Sequence, residues 1–160
     1  MSFLSRRPLA GLMVALMLSA CAGTATEAPD VPQPPLYPNE TEELRVLIND
    51  YAELYDLPPE LVHRLAIRES THRPEARNGP YYGLLQILPA TARTMGFDGE
   101  PRDLLDAETN LKYALRYLKG AYMLSDGDHD DAIKWYARGY YYEAKRQNML
   151  VETGLRRGAS

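Results

Sequence analysis

The sequence is poor in the residues on which several protein classes depend. Cys21 is the only cysteine among 160 residues, which excludes an intramolecular disulfide. The three histidines, His63, His72 and His129, show no ligand spacing with acids or cysteine, so the sequence predicts no metal site and no cofactor. No serine lies in a Gly-x-Ser-x-Gly turn, which leaves a nucleophile triad without support.

Basic surface is also scarce, because 18 Lys and Arg stand against 22 Asp and Glu, for a formal charge of −4. The first 20 residues contain Arg6 and Arg7 and no acid, so their removal would leave −6. No helix or stripe is basic, whereas nucleic-acid binders carry a positive patch. We therefore do not expect a nucleic-acid partner.

The most apolar stretch, Leu9 to Ala20, is 12 residues long, whereas a helix that crosses a bilayer needs about 20. Two arginines precede it, a pattern typical of an export signal. We assign residues 1–20 to a signal peptide.

The signal ends in Leu18-Ser19-Ala20-Cys21, which resembles the lipobox of bacterial lipoproteins. The resemblance implies that Cys21 is lipidated, becomes the first mature residue and anchors the chain to a membrane. Ala22 stands where an Asp would favour inner-membrane retention, so we expect an outer-membrane lipoprotein that faces the periplasm. A simple cleavable signal with an incidental cysteine is the alternative.

Residues 21–39 form a predicted linker after the lipidated cysteine. They are small, polar and rich in proline, and such a segment buries too little apolar surface to fold. A helical pattern begins at Asn39, which together with Thr41 is a candidate cap for the first helix. Further helix starts are predicted at Pro59, Pro89 and Asp106, and a last helical region at 132–146. With no convincing strands, residues 40–157 are predicted to form one all-α domain.

Glu69 is the candidate for chemistry on the second helix. Leu61, Leu65 and Glu69 are four residues apart and share one face, which should point inward. A carboxylate in an apolar stripe is either a partner of a nearby cation, such as Arg68 or Arg73, or a functional acid. The spacing alone leaves both interpretations open.

The residues that follow carry a resemblance. Glu69-Ser70, then Pro74 and Ala76, then Gly83-Leu-Leu-Gln-Ile-Leu-Pro-Ala-Thr-Ala, are similar to the signature of the soluble lytic transglycosylase-like family. Asp106 to Leu118 is similar to the family's next stretch, so the resemblance spans about residues 55–142. It implies a lysozyme-like helical domain that acts on peptidoglycan glycan strands, with Glu69 at the head of a cleft.

In that family the glutamic acid protonates the oxygen between N-acetylmuramic acid (MurNAc) and N-acetylglucosamine (GlcNAc). The same group then deprotonates the muramic 6-hydroxyl, so a 1,6-anhydro sugar forms without water. Standard glycosidases use two carboxylates, but an internal hydroxyl nucleophile removes the need for the second. A proton donor near neutral pH requires a raised pKa, so we expect apolar surroundings to raise the pKa of Glu69.

The resemblance implies five substrate-binding residues, each with a plainer alternative. Gln86 binds the glycan or else bonds backbone in its turn, and Ser70 assists the acid or else caps a helix end. Tyr136 directs its hydroxyl toward the acid or else fills the core. Asn78 replaces a family serine, and Tyr82, after Tyr81, adds a sugar platform or narrows the cleft.

The sequence also departs from the family pattern. Ala137 replaces an asparagine, and the loop between Glu69 and Gly83 is about one residue short. Two other functions therefore stay open: a goose-type muramidase that hydrolyses the same bond, and a non-catalytic peptidoglycan-binding or scaffolding lipoprotein.

Overall fold

The helices begin where the sequence supplies a cap. The computed structural model describes residues 34–158. Helix α1, Glu42–Leu54, begins after Thr41, whose side chain accepts a hydrogen bond from the Leu44 amide at 3.2 Å. Helix α2, Pro59–Glu69, begins on a proline, which has no N–H to leave unpaired. The predicted starts at Thr41 and Pro59 are confirmed.

The middle of the chain continues with helices. Helix α3, Pro89–Thr94, is followed by a 3₁₀ helix, Pro101–Leu105, and by the long helix α4, Ala107–Leu124. Asp106 caps α4 by accepting from the Thr109 amide at 2.8 Å. The predicted starts at Pro89 and Asp106 are therefore also confirmed.

The last helical region differs from the prediction because Gly139 divides it. Helix α5, His129–Arg138, ends at this glycine, and helix α6, Tyr141–Arg146, follows. Gly139 has φ +83° and ψ 148°, a conformation that is essentially restricted to glycine. The periodic apolar residues on both sides suggested one continuous region, but the backbone turns between them.

A two-stranded sheet is a further departure from the prediction of helices alone. Strands β1, Arg77–Asn78, and β2, Tyr81–Tyr82, pair antiparallel and are only two residues each. Apolar alternation needs at least four residues to be visible. The described domain remains mostly α-helical, as predicted.

The core lies around α4, which packs against α1, α3 and α5. Tyr140 is its largest fully buried side chain. The next largest are aliphatic, and each contributes about 1.5–3 kcal/mol by burial: Ile48, Leu61, Leu65, Leu84, Leu85, Leu104, Leu111, Leu115 and Leu118. Leu61 and Leu65 belong to α2, so this core fixes the helix that ends in Glu69.

The last six residues of the predicted linker, 34–39, lie against the domain. The Arg45 guanidinium donates to the backbone carbonyls of Pro34 and Pro35 and to the Glu40 carboxylate. The Tyr37 ring stacks on His72, with 5.2 Å between centroids. The predicted signal peptide 1–20, Cys21 and linker residues 22–33 lie outside the described residues. Within 34–158, no helix has both the length and the apolar character that a membrane span requires.

Candidate functional site

Glu69 is the last residue of α2 and lies where the apolar face of that helix meets the surface. Its side chain is 21% exposed, whereas Leu61 and Leu65 on the same face are fully buried. Arg68 Nε donates to Glu69 Oε1 at 3.1 Å, but the Arg68 side chain is 54% exposed. The two interpretations of Glu69 therefore coexist: it has an ion-pair partner and is also a half-buried acid.

Burial raises the pKa of Glu69 above the ordinary glutamate value. The charge and the hydrogen bond of Arg68 act in the opposite direction and do not cancel this effect. The direction agrees with the expectation from the sequence. A carboxyl group with a raised pKa keeps its proton at higher pH than an exposed glutamate does, and a general acid needs this property.

Asn110 holds the backbone of the Gly83–Ile87 turn. This fully buried side chain accepts from the Leu85 amide at 2.9 Å. Its Nδ2 donates to the carbonyls of Tyr82, at 2.9 Å, and Leu104, at 2.8 Å. One side chain on α4 thus satisfies three backbone groups from two other segments.

Gly83 is required because this junction leaves no room for a side chain. A Cβ at this position would lie 2.1 Å from the Leu104 carbonyl oxygen and 2.2 Å from Asn110 Nδ2. Its φ of +78° also lies in the region that favours glycine. The turn can therefore approach Asn110 only with glycine here.

Gln86 is buried in the turn, and its amide bonds the protein backbone. Its Nε2 donates to the carbonyls of Ala76, at 2.9 Å, and Gly83, at 2.8 Å. Its Oε1 is buried and has no hydrogen-bond partner within residues 34–158. The arrangement corresponds to the plainer interpretation of Gln86, although this residue also lines a pocket.

A pocket of about 270 Å³, hereafter the cleft pocket, opens between this turn and the end of α5. Its wall carries no Asp or Glu and consists of aromatic, aliphatic and polar residues: Tyr81, Gln86, Ile87, Leu88, Thr91, Tyr117, Tyr136, Ala137, Arg138 and Gly139. Glu69 is not among these residues. The expectation that Glu69 lies at the head of a cleft stays a prediction.

Tyr136 connects the cleft pocket with Glu69. Its ring lines the pocket, and its hydroxyl donates to the Leu85 carbonyl at 2.8 Å. Burial raises the pKa of Tyr136 well above its usual value, and the nearby charge of Glu69 raises it further. Tyr136 is thus close enough to sense the acid, although its hydroxyl proton is directed to the turn.

The remaining predicted residues lie in three different settings. Ser70 is buried at the end of α2, where its Oγ accepts from the Arg73 amide at 3.1 Å. Asn78 is exposed in β1. Tyr82 is half-buried with the Arg77 guanidinium 4.7 Å from its ring centre, and Tyr81, not Tyr82, lines the cleft pocket. The predictions for these residues remain untested by placement alone.

Sequence reasoning missed four residues of this region. Asn110 lies within the stretch that resembles the family but has no predicted role, and the sequence indicates Tyr81 only as the neighbour of Tyr82. Tyr117 and Arg138 gave no signal, because pocket walls combine residues from distant segments. The wall is assembled by the packing of α4 and α5 against the turn.

One group of side chains within residues 34–158 has the composition of a metal site. Donor atoms of Glu40, His63 and His72, all buried, lie within 4.8 Å of one another. Arg45 already donates to both oxygens of Glu40, and His72 Nδ1 has no partner within the described residues. A metal-bound histidine normally donates its second N–H to an acceptor. The geometry therefore favours a hydrogen-bonded network, with His63 Nδ1 3.1 Å from His72 Nε2.

This network predicts a loss of stability in mild acid. Burial lowers the pKa of both His63 and His72, and the opposing charge of Glu40 does not reverse this. The unfolded chain, with histidine pKa values of about 6.5, then binds more protons than the folded chain. The melting temperature should fall as the pH drops below about 6.5. In the double variant His63→Gln/His72→Gln the melting temperature should fall less with decreasing pH, while His129→Gln should behave as the wild type does. If the melting temperature depended on pH equally in the wild type and in both variants, the prediction would be contradicted.

The fold and the site together define a class, that of mostly α-helical, lysozyme-like domains in which one half-buried glutamic acid ends a core helix. The family model described as Transglycosylase SLT domain matches residues 46–149. The chain therefore belongs to the transglycosylase SLT family, and peptidoglycan is its substrate. No curated protein and no solved structure matches the chain.

Proposed function

We propose that the protein is a lytic transglycosylase that cuts the MurNAc–GlcNAc β-1,4 bond of peptidoglycan without water and leaves 1,6-anhydro-MurNAc ends. One observation carries the proposal. Glu69 is half-buried with a raised pKa, and the adjoining cleft pocket has no second carboxylate on its wall. A single acid suffices when the substrate supplies the nucleophile, and the muramic 6-hydroxyl is the nucleophile that this proposal assigns.

Glu69 acts first as the acid and then as the base. Its proton passes to the glycosidic oxygen as the bond to the MurNAc anomeric carbon breaks, and GlcNAc leaves as an alcohol. The Glu69 carboxylate then removes the proton of the muramic 6-hydroxyl, whose oxygen bonds to the anomeric carbon. Glu69 ends protonated, so the next cycle can start.

The other predicted residues are proposed to serve in two ways. Gln86 and Ser70 bond backbone, so they position the turn and the helix end that flank the acid. Tyr136 shapes the pocket beside Glu69. Asn78 and Tyr82 are at least partly accessible on the small sheet, where they can contact the glycan directly.

Product masses after digestion of purified sacculi test the reaction. Transglycosylation gives anhydro-muropeptides, which are lighter by one water than the reducing products. Reducing ends would instead indicate a muramidase, and binding without any product would indicate a scaffolding protein. Either of these two results would reject the proposal.

Arg68 provides a test of the role of Glu69 as proton donor. Because Arg68 lowers the pKa of Glu69, Arg68→Gln should raise it. The high-pH limb of kcat/KM, where the acid loses its proton, should then move to higher pH. Stability should change by less than about 1 kcal/mol, since the pair is exposed. Lys134→Gln, which removes a surface pair with Asp131, is the control and should leave the profile in place. A shift to lower pH would argue against this role.

We also propose that the protein is an outer-membrane lipoprotein anchored through Cys21. The lipobox-like end of the predicted signal supports this. Cells fed a labelled fatty acid should incorporate it into the wild-type chain but not into Cys21→Ser, and the protein should fractionate with outer membranes. Equal labelling of both forms would exclude Cys21 as the anchor.

A further inference from the structure

A second pocket lies beside the cleft pocket. This α6 pocket, of about 520 Å³, is formed by α6 and the end of α5, and its lining is largely aromatic and basic: Trp135, Arg138, Gly139, Tyr141, Tyr142, Glu143 and Arg146. It shares Arg138 and Gly139 with the cleft pocket. The two pockets therefore meet at the end of α5, where Gly139 carries no side chain.

The α6 pocket exposes two neighbouring aromatic rings. Tyr142 is 83% exposed and Tyr141 50%, and their rings meet edge to face with 5.4 Å between centroids. Tyr140, the residue before them, is instead buried. Tyrosine combines an apolar face with a polar tip. A sugar ring matches this combination, because its C–H groups pack on the ring face while its hydroxyls bond to polar groups at the edge.

Arg138 adds a cationic donor to the same wall. Its guanidinium carbon lies over the Trp135 ring, 3.8 Å from the ring centre, in a cation–π contact. Within residues 34–158, no carboxylate forms an ion pair with Arg138, whereas Arg146 is paired with Glu143. The N–H groups of Arg138 thus remain available for acceptor oxygens on a ligand. A glycan strand with carboxylate-bearing substituents offers both the sugar rings that can pack on the tyrosines and the acceptor oxygens that can bind Arg138.

We infer that Tyr141, Tyr142 and Arg138 form an additional binding site for the glycan strand, beyond the sugars that enter the cleft pocket. The inference rests on the proposed function, because the strand is assumed to pass Glu69. The shared wall at Arg138 and Gly139 favours a continuing polymer over an unrelated partner. The site makes binding depend on strand length and leaves the chemical step unchanged.

Kinetics on substrates of two lengths test this inference. For long glycan strands, Tyr141→Ala/Tyr142→Ala should raise KM about tenfold, which corresponds to ~1.4 kcal/mol, with kcat unchanged. For a tetrasaccharide fragment, KM should stay within about twofold of the wild-type value. Leu54→Ala, which removes a 69% exposed apolar side chain from α1, is the matched control and should alter neither KM.

A second measurement separates this inference from the proposed reaction. Full-length chains carrying Glu69→Gln are mixed with intact sacculi, and the bound fraction is measured with and without the two tyrosine substitutions. Loss of binding on substitution supports the site even if the wild-type chain releases no anhydro product. Equal binding with and without the tyrosines, or equal KM changes on long and short substrates, overturns the site and leaves the reaction standing. Absence of both cleavage and binding overturns both.

Discussion

Glu69→Gln is expected to reduce the release of anhydro-muropeptides from sacculi by at least about 10²–10⁴-fold, the contribution typical of a general acid. Glutamine keeps the size and the shape of the side chain, but its amide has no acidic proton that it could transfer to the glycosidic oxygen. The proposed reaction uses no second carboxylate that could take over from Glu69, and the wall of the cleft pocket carries none. The rate should be measured on product peaks that are resolved by mass.

The fold of the variant should stay intact, since the Arg68 partner of the lost pair is 54% exposed and such a pair contributes at most about 1 kcal/mol. Glu75→Gln is the matched control, because this exposed acid lies only six residues further along the chain. It should retain wild-type activity. Activity within tenfold of wild type for Glu69→Gln, at an unchanged melting temperature, would remove Glu69 from the reaction.

Asn110→Ala is expected to cost about 3–5 kcal/mol of unfolding free energy. The substitution leaves the Leu85 amide and the carbonyls of Tyr82 and Leu104 buried without partners. Each unsatisfied backbone group costs about 1–3 kcal/mol. For a domain of this size, the melting temperature should fall by roughly 10 °C or more. Cleavage should weaken as well, because the freed turn also carries Gln86 and the carbonyl that receives the Tyr136 hydroxyl.

Asn78→Ala serves as the control for the stability measurement. Asn78 is exposed and donates no side-chain hydrogen bond within the described residues. Surface substitutions of this kind typically change stability by no more than about 0.5 kcal/mol. Urea unfolding of both variants gives the comparison. A cost below about 1 kcal/mol for Asn110→Ala would mean that water or a shift of the turn satisfies the three groups, and the account given for Asn110 would then be wrong.

The helix starts were predictable because capping is a local interaction. Thr41 and Asp106 each bond an amide three residues further on, so the residue type and its position suffice. The inward direction of Glu69 was predictable for a similar reason, since side chains four residues apart share a helix face. Such features depend on neighbours in the sequence.

The parts that could not be predicted depend on distant residues. Asn110 meets Leu85 across 25 positions, and the network of Glu40, His63 and His72 joins three separate segments. The pocket wall likewise depends on how α5 packs against the turn. The break at Gly139 combines both cases. The glycine is present in the sequence, but whether the backbone turns there depends on how α6 packs. The family resemblance indicated the chemistry, whereas only coordinates place Tyr81 and Arg138 on the pocket wall.

The contact of residues 34–39 with the domain has a mechanical consequence. If the chain is tied to a membrane at one end and grips the cell wall at the other, tension between the two enters the domain through Arg45 and Tyr37. Tyr37 rests on His72, three residues after the acid. A pull on this segment would therefore act on α1 and on the loop after Glu69, the two parts of the domain that hold it.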